Sequence, residues 1–597
     1  MKSTGFTKSG QLYPSLIMAG YSLIIFYILI PHRNAIQIVH FPFQPFLSQI
    51  LLLLSILPMG YVLFNSTLTI KKADIGVTFY LLYILARYCL SPFPANLESI
   101  FETLTLFVLY LTIRCFPSKA IWLLSAVLLL AALYRLAYSC GFRFLPTLPS
   151  LHLYHIQGGF INSSLWGGFL ALVVTLLVGW GRHFTFPHCS ICLWIGWSLL
   201  TCFFFFLLFF ADSRAAWLSA LAGCLFLFYI PTRKRLLKFT ICCLMLCLIA
   251  GISYYYKPES ANGRMLIHRV TLDMIADKPF LGFGADGFSQ NYMNYQAAYF
   301  SSHPDTPASE LADETIFAFN EYLRLFTEQG VLGLIITFSL LIFIFIRPIQ
   351  HSYQQTAGIL QGMIVVLAVF CCFSYPFPDF TFKAIGLSLL ALLISCACPD
   401  LRKLQLTIWS RISLAGSMLC LVLGAYPIFR QQATAWQKWN TALGYYYENT
   451  AYSLQTLEEV SAKLAHNPVF LFTYGKALNT AEDYPHALPI LQQALVQSAS
   501  YQTLMELGQS LEGLGRFDEA EACWQKAERM IPNRFLPGYL TAQMYEKRGE
   551  YLRAQNIAQK TLQKKIKVNT PEVRKIIRGL KRIAYELNEE WKIENEL

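Results

Sequence analysis

Charge is what this chain has least of. Asp, Glu, Lys and Arg together supply 14% of its 597 residues, where a soluble protein carries about 25%. Hydrophobic residues supply 55%. That balance excludes an ordinary soluble enzyme and is the composition of a polytopic membrane protein. Several signatures are also missing. There is no Walker A loop, no HExxH, no nucleophile elbow and no metal-ligand cluster, which argues against ATP-driven transport and metal-dependent hydrolysis. Acidic residues are scarce inside the apolar segments, which weakens an ion-coupled transporter. Of the 16 cysteines, all but Cys523 lie in or beside apolar segments, where Cys behaves as a small hydrophobe. Cys189-Ser-Ile-Cys192 has no second CxxC to complete a metal site. No metal and no cofactor is expected. Lys2 and Lys8 precede an apolar run, but Pro-His-Arg-Asn follows it where a cleaved signal would have small residues. The first helix is therefore expected to be retained.

What the chain does have is a series of apolar runs, each long enough to cross a hydrocarbon core of about 30 Å. About thirteen spans are expected, near 13–30, 45–64, 74–91, 99–116, 120–139, 162–181, 189–210, 213–230, 237–255, 329–347, 358–376, 381–398 and 407–427. The net charge of +12 sits largely in the short loops between them. The positive-inside rule accounts for it there, so no nucleic-acid partner is expected. Lys71, Lys72, Arg114, Lys119, Arg182, Arg233, Lys234, Arg235, Lys238, Arg347, Arg402, Lys403 and Arg411 fall on one side if the spans alternate. That side is assigned to the cytoplasm. The other side receives the 135–159 segment, the Asp212–Arg214 turn, a long polar loop at 256–328, the 375–380 turn and everything after residue 428. Arg135 and Arg143 run mildly against the trend.

After about residue 430 the apolar runs stop and a repeat begins. Gly508, Leu511, Gly515, Phe517, Ala520, Trp524, Ala527 and Pro532 have tetratricopeptide spacing. Ala542, Tyr545, Gly549, Tyr551 and Ala554 repeat it 34 residues on, and Tyr474, Gly475, Leu478, Tyr484, Ala487 and Ala494 precede it by 33. Three stacked helix pairs share a core. The expected fold is all-α: a polytopic membrane bundle over 1–428, a helical connector over 429–466 and a tetratricopeptide-like α-solenoid over 467–597, capped by a basic helix from Lys564 to Lys581. Two roles stand for the solenoid, capture of a protein partner in a groove or a stabilising appendage.

The residues that could carry chemistry lie in the polar breaks. Arg214 follows Ser213 at a membrane boundary, where charge is costly and functional or paired. It either holds a phosphate or snorkels beside Asp212. Arg264, His268 and Arg269 lie on an amphipathic helix from Gly263 to Ile275, with Arg264 and His268 four apart on one face. Planar guanidinium donors suit phosphate oxygens, and anchoring to anionic lipid is the alternative. Lys278–Phe288 is a Gly-rich turn that follows a helix, not a strand, so it is no dinucleotide site. Its glycines permit close approach of backbone to a ligand or a neighbouring helix. Glu314 and Glu321 share a face if helical, in a cluster with Asp313, Asn320 and Tyr322. With His303 they are the candidate general bases. The alternative is that the carboxylates only favour a helix N-terminus.

These pieces together resemble the O-antigen ligase and polymerase superfamily. Gly159-Phe160-Ile161-Asn162 resembles its Gly-x-Phe-x-Asn element, and Ser213-Arg214 its Ser-Arg at the head of a span. Arg264 with Asp273-Met274-Ile275 and Pro279-Phe280-Leu281-Gly282-Phe283-Gly284 resembles its Arg…PlxGxG run. Asn320-Glu321-Tyr322-Leu323 with Glu328-Gln329-Gly330-Val331-Leu332-Gly333 resembles its Asn-x-Tyr-Leu…Glu-x-Gly-x-x-Gly element. Phe319 stands where the family usually has a functional His. The resemblance implies an enzyme of the bacterial inner membrane with its C-terminal domain in the periplasm. It implies a glycan donor on undecaprenyl pyrophosphate held by Arg214 and Arg264, with His268, Arg269 and Asn320 nearby. A glycolipid or protein hydroxyl would be the acceptor, helped by Glu314, Glu321 or His303. Neither metal nor ATP is implied. A polysaccharide polymerase and a protein O-oligosaccharyltransferase are the alternatives within the family. A lipid-linked saccharide transporter and a non-catalytic assembly scaffold are those outside it.

Overall fold

Uninterrupted apolar runs bounded by polar turns satisfy their backbone only as helices when lipid surrounds them. A computed structural model describes residues 20, 22–29, 47–65, 67–89, 97–114, 121–139, 157–182, 191–228, 251, 258–304, 306–346, 349, 353–446 and 448–586. The membrane part has α1 (Leu47–Phe64), α2 (Lys72–Cys89), α3 (Leu97–Arg114), α4 (Ile121–Ser139), α5 (Ser163–Gly181), α6 (Ile191–Phe210) and α7 (Arg214–Leu227). The polar loop supplies α8 (Pro258–Asp277) and α9 (Gly287–Ser302). Then follow α10 (Glu321–Ile346), α11 (Gln354–Phe373), α12 (Phe380–Ala397) and α13 (Ile408–Gly444). Among the described residues seven helices are long and apolar enough to cross a membrane: α4, α5, α6, α10, α11, α12 and α13. Helices α1, α2, α3 and α7 pack alongside them. The 13–30 and 237–255 runs, with the basic cluster at 233–238, Lys119, Cys189 and Arg347, lie largely or wholly outside the described residues.

The connections separate onto two faces. On the first, β1 (Thr67–Lys71) pairs antiparallel with β2 (Asp400–Gln405), from Thr67 against Gln405 to Lys71 against Asp400. There Arg114 pairs with Asp74 at 2.8 Å and donates to Ser395 Oγ at 2.6 Å. On the second, Arg87 donates to Leu281 O at 2.6 Å and Ser99 to Asp286 at 3.1 Å. The buried Arg135, the exception to the charge trend, donates to the carbonyls of Leu29 and Gly158 and lies 3.8 Å over the Phe160 ring. It staples the turn that leads into α5. At the centre, α5 is buried along nearly all its length between α7 and α11.

The polar loop ends earlier than its polarity suggests. Asn320 caps α10 by accepting from Tyr322 N and Leu323 N, so residues 321–329 already belong to that helix. The helix then breaks at Gly330, with φ +65° and ψ −170°. Into the break fits the turn after α8. Phe283 N and Gly284 N donate to the carbonyls of Thr327 and Glu328 at 2.8 and 2.9 Å, and Val331 N returns a bond to Pro279 O at 2.8 Å. Contact is backbone on backbone, and a Cβ on Gly330 would stand 2.1 Å from Phe280 O. The two Gly-containing stretches are thus the halves of one clasp.

Helix α13 carries the chain without interruption from the membrane part to Gly444, straight through the expected boundary at 428. The solenoid follows as α14 (Thr450–Leu464), α15 (Pro468–Thr480), α16 (Tyr484–Gln497), α17 (Tyr501–Gly513), α18 (Phe517–Met530), α19 (Leu536–Lys547), α20 (Tyr551–Leu562) and α21 (Pro571–Lys581). Glu482, Gly515 and Gly549 occupy the same turn of successive pairs, each with positive φ. Glycine adopts that conformation without the steric cost Glu482 bears.

The solenoid is seated on the polar loop. Gln296 of α9 is buried and its amide donates to Met530 O at 2.7 Å and Asp313 O at 3.2 Å. Ala499 N donates to Gln290 O at 2.9 Å, and Arg534 pairs with Asp313 at 2.8 Å. One hydrophobic cluster runs from Val270, Met274, Tyr292 and Met293 into Leu504, Trp524 and Met530. The contact uses turns between repeats and the second helix of the middle pair.

Two predictions follow from these contacts. Gly330→Ala adds a Cβ against backbone at a left-handed φ and is expected to cost roughly 2–4 kcal/mol. Thermal unfolding in detergent would register it, with Gly416→Ala, whose Cβ meets nothing within 4 Å, as the neutral or stabilising control. Gln296→Ala leaves two carbonyls unpaired, at about 1–3 kcal/mol for the buried group. Hydrogen exchange should then accelerate across 287–302 and 517–530 and stay unchanged across 163–181.

Candidate functional site

Four of the helices that begin on the loop face begin with a side-chain cap. Asn162 caps α5, Ser213 caps α7, Asn320 caps α10 and Asp379 caps α12. Short polar side chains satisfy the first free N–H groups of a helix, which is why these residue types punctuate the apolar runs. The caps also tie the starts together. Ser164 lies 3.1 Å from Ser213 Oγ and 3.4 Å from Ser374 Oγ, and Asn162 donates to the Tyr375 hydroxyl. Gly167 allows this, since a Cβ there would meet Ser213 and Ala216 at 2.9 Å.

Over these helix starts lies α8. Arg264 donates from Nη1 to Phe373 O at 2.9 Å, at the end of α11. Its guanidinium stands 5.3 Å from the centre of the Phe319 ring. Tyr375 completes the wall, with Phe317 stacked on it at 4.2 Å and Phe319 edge-on at 4.9 Å. Burial lowers the pKa of Arg264, and the positive charge of Arg214 lowers it further. Two arginines 50 positions apart in sequence are thus brought within electrostatic reach of each other. Burial raises the Tyr375 phenol against the opposing effect of its hydrogen bond with Asn162.

His268 lies one turn beyond Arg264. Its ring faces the backbone of Ala318, while Nε2 is buried with no hydrogen-bond partner. Burial first, and the Arg264 charge second, push its pKa below the ordinary value for His. Arg269 points to the exposed side of α8 with Met265 and Leu272.

The carboxylates and the second His are engaged elsewhere. Glu321 is buried, pairs with Arg324 at 2.7 Å and accepts from Phe377 N at 3.0 Å, which joins α10 to the 374–379 turn. Glu314 accepts from Ser500 Oγ at 2.6 Å and from the backbone at Tyr501 and Gln502, at the start of α17. Burial raises its pKa against those donors. His303 is exposed at the end of α9, stacked on Tyr299 at 4.6 Å. The structure therefore gathers Arg214, Arg264, His268 and Asn320 around the helix starts, and sets Glu314 at the solenoid contact. Sequence reasoning missed Tyr375, Ser164 and Ser374 as members of the site. The signal for Ser374 and Tyr375 was a polar pair interrupting two apolar runs. Among the described residues no group of His, Cys, Asp or Glu is placed to hold a metal ion.

No curated protein matches the chain. Among solved structures, the crystal structure of the yeast Tom70 aligns at 11% identity over 86% of this chain and 89% of that one, with a TM-score of 0.23, a superposition too loose to carry an argument. Residues 197–338, the stretch that holds Arg214, Arg264, His268, Asn320 and both halves of the clasp, match the model of the O-antigen ligase family.

Proposed function

We propose that this protein is a glycosyltransferase of the bacterial inner membrane, working at its periplasmic face. It moves a glycan from undecaprenyl pyrophosphate to an acceptor hydroxyl, as an O-antigen ligase-like enzyme. The coarser part of this reading, a ligase- or polymerase-type glycosyltransferase in a multi-pass membrane protein, is supported by the family match and the spans. The single observation that carries the finer part is the convergence of Arg214 and Arg264 over a set of helix N-termini. Guanidinium forks match phosphate oxygens bidentately. Helix N-termini add partial positive charge and free N–H groups. Both suit a pyrophosphate better than they suit each other.

In the reaction the acceptor oxygen attacks the anomeric carbon and its bond forms there. The bond from that carbon to the pyrophosphate oxygen breaks, and the electron pair leaves with the lipid. The hydroxyl proton passes to a base. Arg214 and Arg264 hold the pyrophosphate and meet the charge that grows on it. Donors aimed at developing charge act on the transition state more than on the bound ground state. Arg269, on the exposed side of α8, serves the lipid–water boundary, where it pairs with the donor's or a neighbouring lipid's phosphate. Asn320 acts by seating the start of α10 beneath the arginines. The exposed apolar faces of the bundle take the polyprenyl tail. The solenoid, packed on the polar loop, lies on the periplasmic side with it and remains available to a protein partner or protein acceptor.

Charge-assisted hydrogen bonds contribute about 1.5–3 kcal/mol each, so Arg214→Ala and Arg264→Ala are each expected to lower transfer by on the order of 10²-fold or more. The assay is transfer of a polyprenyl-pyrophosphate-linked glycan in proteoliposomes. Arg264→Lys keeps the charge but not the fork, and is expected to fall between. Wild-type transfer by both alanine variants would sink the assignment. Comparing lipopolysaccharide, capsule and glycoproteins in a deletion strain names the acceptor, since a polymerase, a lipid ligase and a protein oligosaccharyltransferase each deplete a different pool.

A further inference from the structure

A transfer to a hydroxyl needs a group to take the proton, and the arrangement around α8 points to one. Glu321 is held by Arg324 and the Phe377 N–H, and Glu314 by three donors from the solenoid. His303 lies stacked and exposed at the end of α9. His268 differs from all three. It is on the same helix as Arg264, one turn away, and its Nε2 is buried with nothing to bond. A buried, unsatisfied polar atom carries a free-energy penalty and calls for an explanation.

We propose that His268 is the catalytic base that accepts the acceptor's hydroxyl proton on Nε2. The proposal rests on the glycosyl-transfer reading above. The backbone of Ala318 faces the ring. In the tautomer that carries its proton on Nδ1, the neutral imidazole presents a lone pair at Nε2. An acceptor hydroxyl placed there satisfies the orphan nitrogen and stands beside the pyrophosphate held by Arg264. The oxygen–hydrogen bond breaks as the bond to the anomeric carbon forms. The proton moves to Nε2, and the leaving pyrophosphate takes the electron pair of the bond it loses.

The local fields favour this order of events. Burial first, and the Arg264 charge second, lower the pKa of His268 and so favour the neutral ring that acts as a base. A bound pyrophosphate offsets the Arg264 charge, which raises the basicity of the ring as the reaction proceeds. Three acidic groups on or against α8 are already engaged. Glu310 of the short turn Pro307–Leu311 pairs with Lys565, Glu321 pairs with Arg324, and Asp277 accepts from Tyr295 of α9. Phe319 closes the site beside Arg264, held at φ +52°, a conformation few aromatic residues adopt. It is fixed there by Tyr375 on one side and the Asn320 cap on the other.

The test uses the full-length protein in proteoliposomes with a polyprenyl-pyrophosphate-linked glycan as donor. General-base catalysis contributes about 10²–10⁴-fold, so His268→Ala and His268→Gln should lose at least ~10²-fold in kcat with donor KM nearly unchanged. Wild-type transfer should fall on the acid side as His268 protonates, with a midpoint below that of an ordinary His. That acid limb should be absent from the residual activity of both variants, and added imidazole should restore part of the Ala variant's rate. Unfolding temperature separates a misfolded variant from an inactive one, and the Gln side chain keeps a polar group on the Ala318 backbone. Full activity in either variant overturns the proposal, as does a loss confined to donor KM, which would make His268 a pyrophosphate ligand. If Arg264→Ala is inactive while His268→Ala is active, this inference alone fails. If both are active, the glycosyl-transfer reading fails with it.

Discussion

The clasp between the 279–284 turn and the break in α10 is the constraint on which the site depends. Hydrogen bonds from Phe283, Gly284 and Val331 join two stretches of backbone with no side chain between them. That geometry fixes the C-terminal end of α8 against the middle of α10. Arg264 and His268 sit two to four turns back along α8, and Asn320 sits at the head of α10. A shift of one helix against the other would part His268 from Ala318 and Arg264 from Phe373. A side chain at Gly330 would force such a shift, because the facing atoms are backbone and have no rotamer to move into.

Much of this was legible in the sequence, for identifiable reasons. Lipid leaves little choice of secondary structure, so most described apolar runs gave helices within a few residues of their expected ends, the start of α10 and the end of α13 being the exceptions. Alternating loop charge separated the connections, and the β1–β2 ribbon joins two loops placed on one face by that argument alone. The solenoid showed itself by its period. Arg214 and Arg264 stood out because charge in apolar surroundings is rare. What stayed hidden was tertiary. Nothing local in Glu314 distinguishes a carboxylate that could serve as a base from one that caps the first turn of a helix 186 residues later. Asp313 and Gln296 are likewise ordinary until the solenoid is seated on them. The start of α10 was obscured because Glu321, Arg324 and Glu328 look like loop residues. They are buried or half-buried in the helix, with Glu321 and Arg324 paired.

The contact between solenoid and polar loop changes what the solenoid is for. The apolar residues of the polar loop do not form a core separate from the solenoid's. Here Val270, Met274, Tyr292 and Met293 share one with Leu504, Trp524 and Met530. Gln296 adds a buried polar tie, and Arg534 with Asp313 an exposed one that contributes little by itself. The repeat domain therefore completes the fold of the element that bears Arg264 and His268. A stabilising role and a partner-binding role are compatible, because the loop occupies inter-repeat turns and one second helix, and other solenoid surface remains.

Arg214 and Arg264 carry like charges within electrostatic reach of each other. Bringing like charges together is unfavourable, and more so where burial removes water. The scaffold maintains that arrangement through ties on two different elements. Arg214 begins α7, whose Ser213 cap is tied to Ser164, and Arg264 is tied to Phe373 O. On the proposed reading, an anion that enters relieves the repulsion, and the cost of bringing the charges together was met when the chain folded. The donors then need little reorganisation as charge grows on the leaving group. The arrangement also sets the environment of His268, whose basicity is held down by Arg264 until that charge is matched. On the proposed reading, donor binding and proton acceptance are thereby coupled through one guanidinium, because a bound pyrophosphate makes His268 a stronger base.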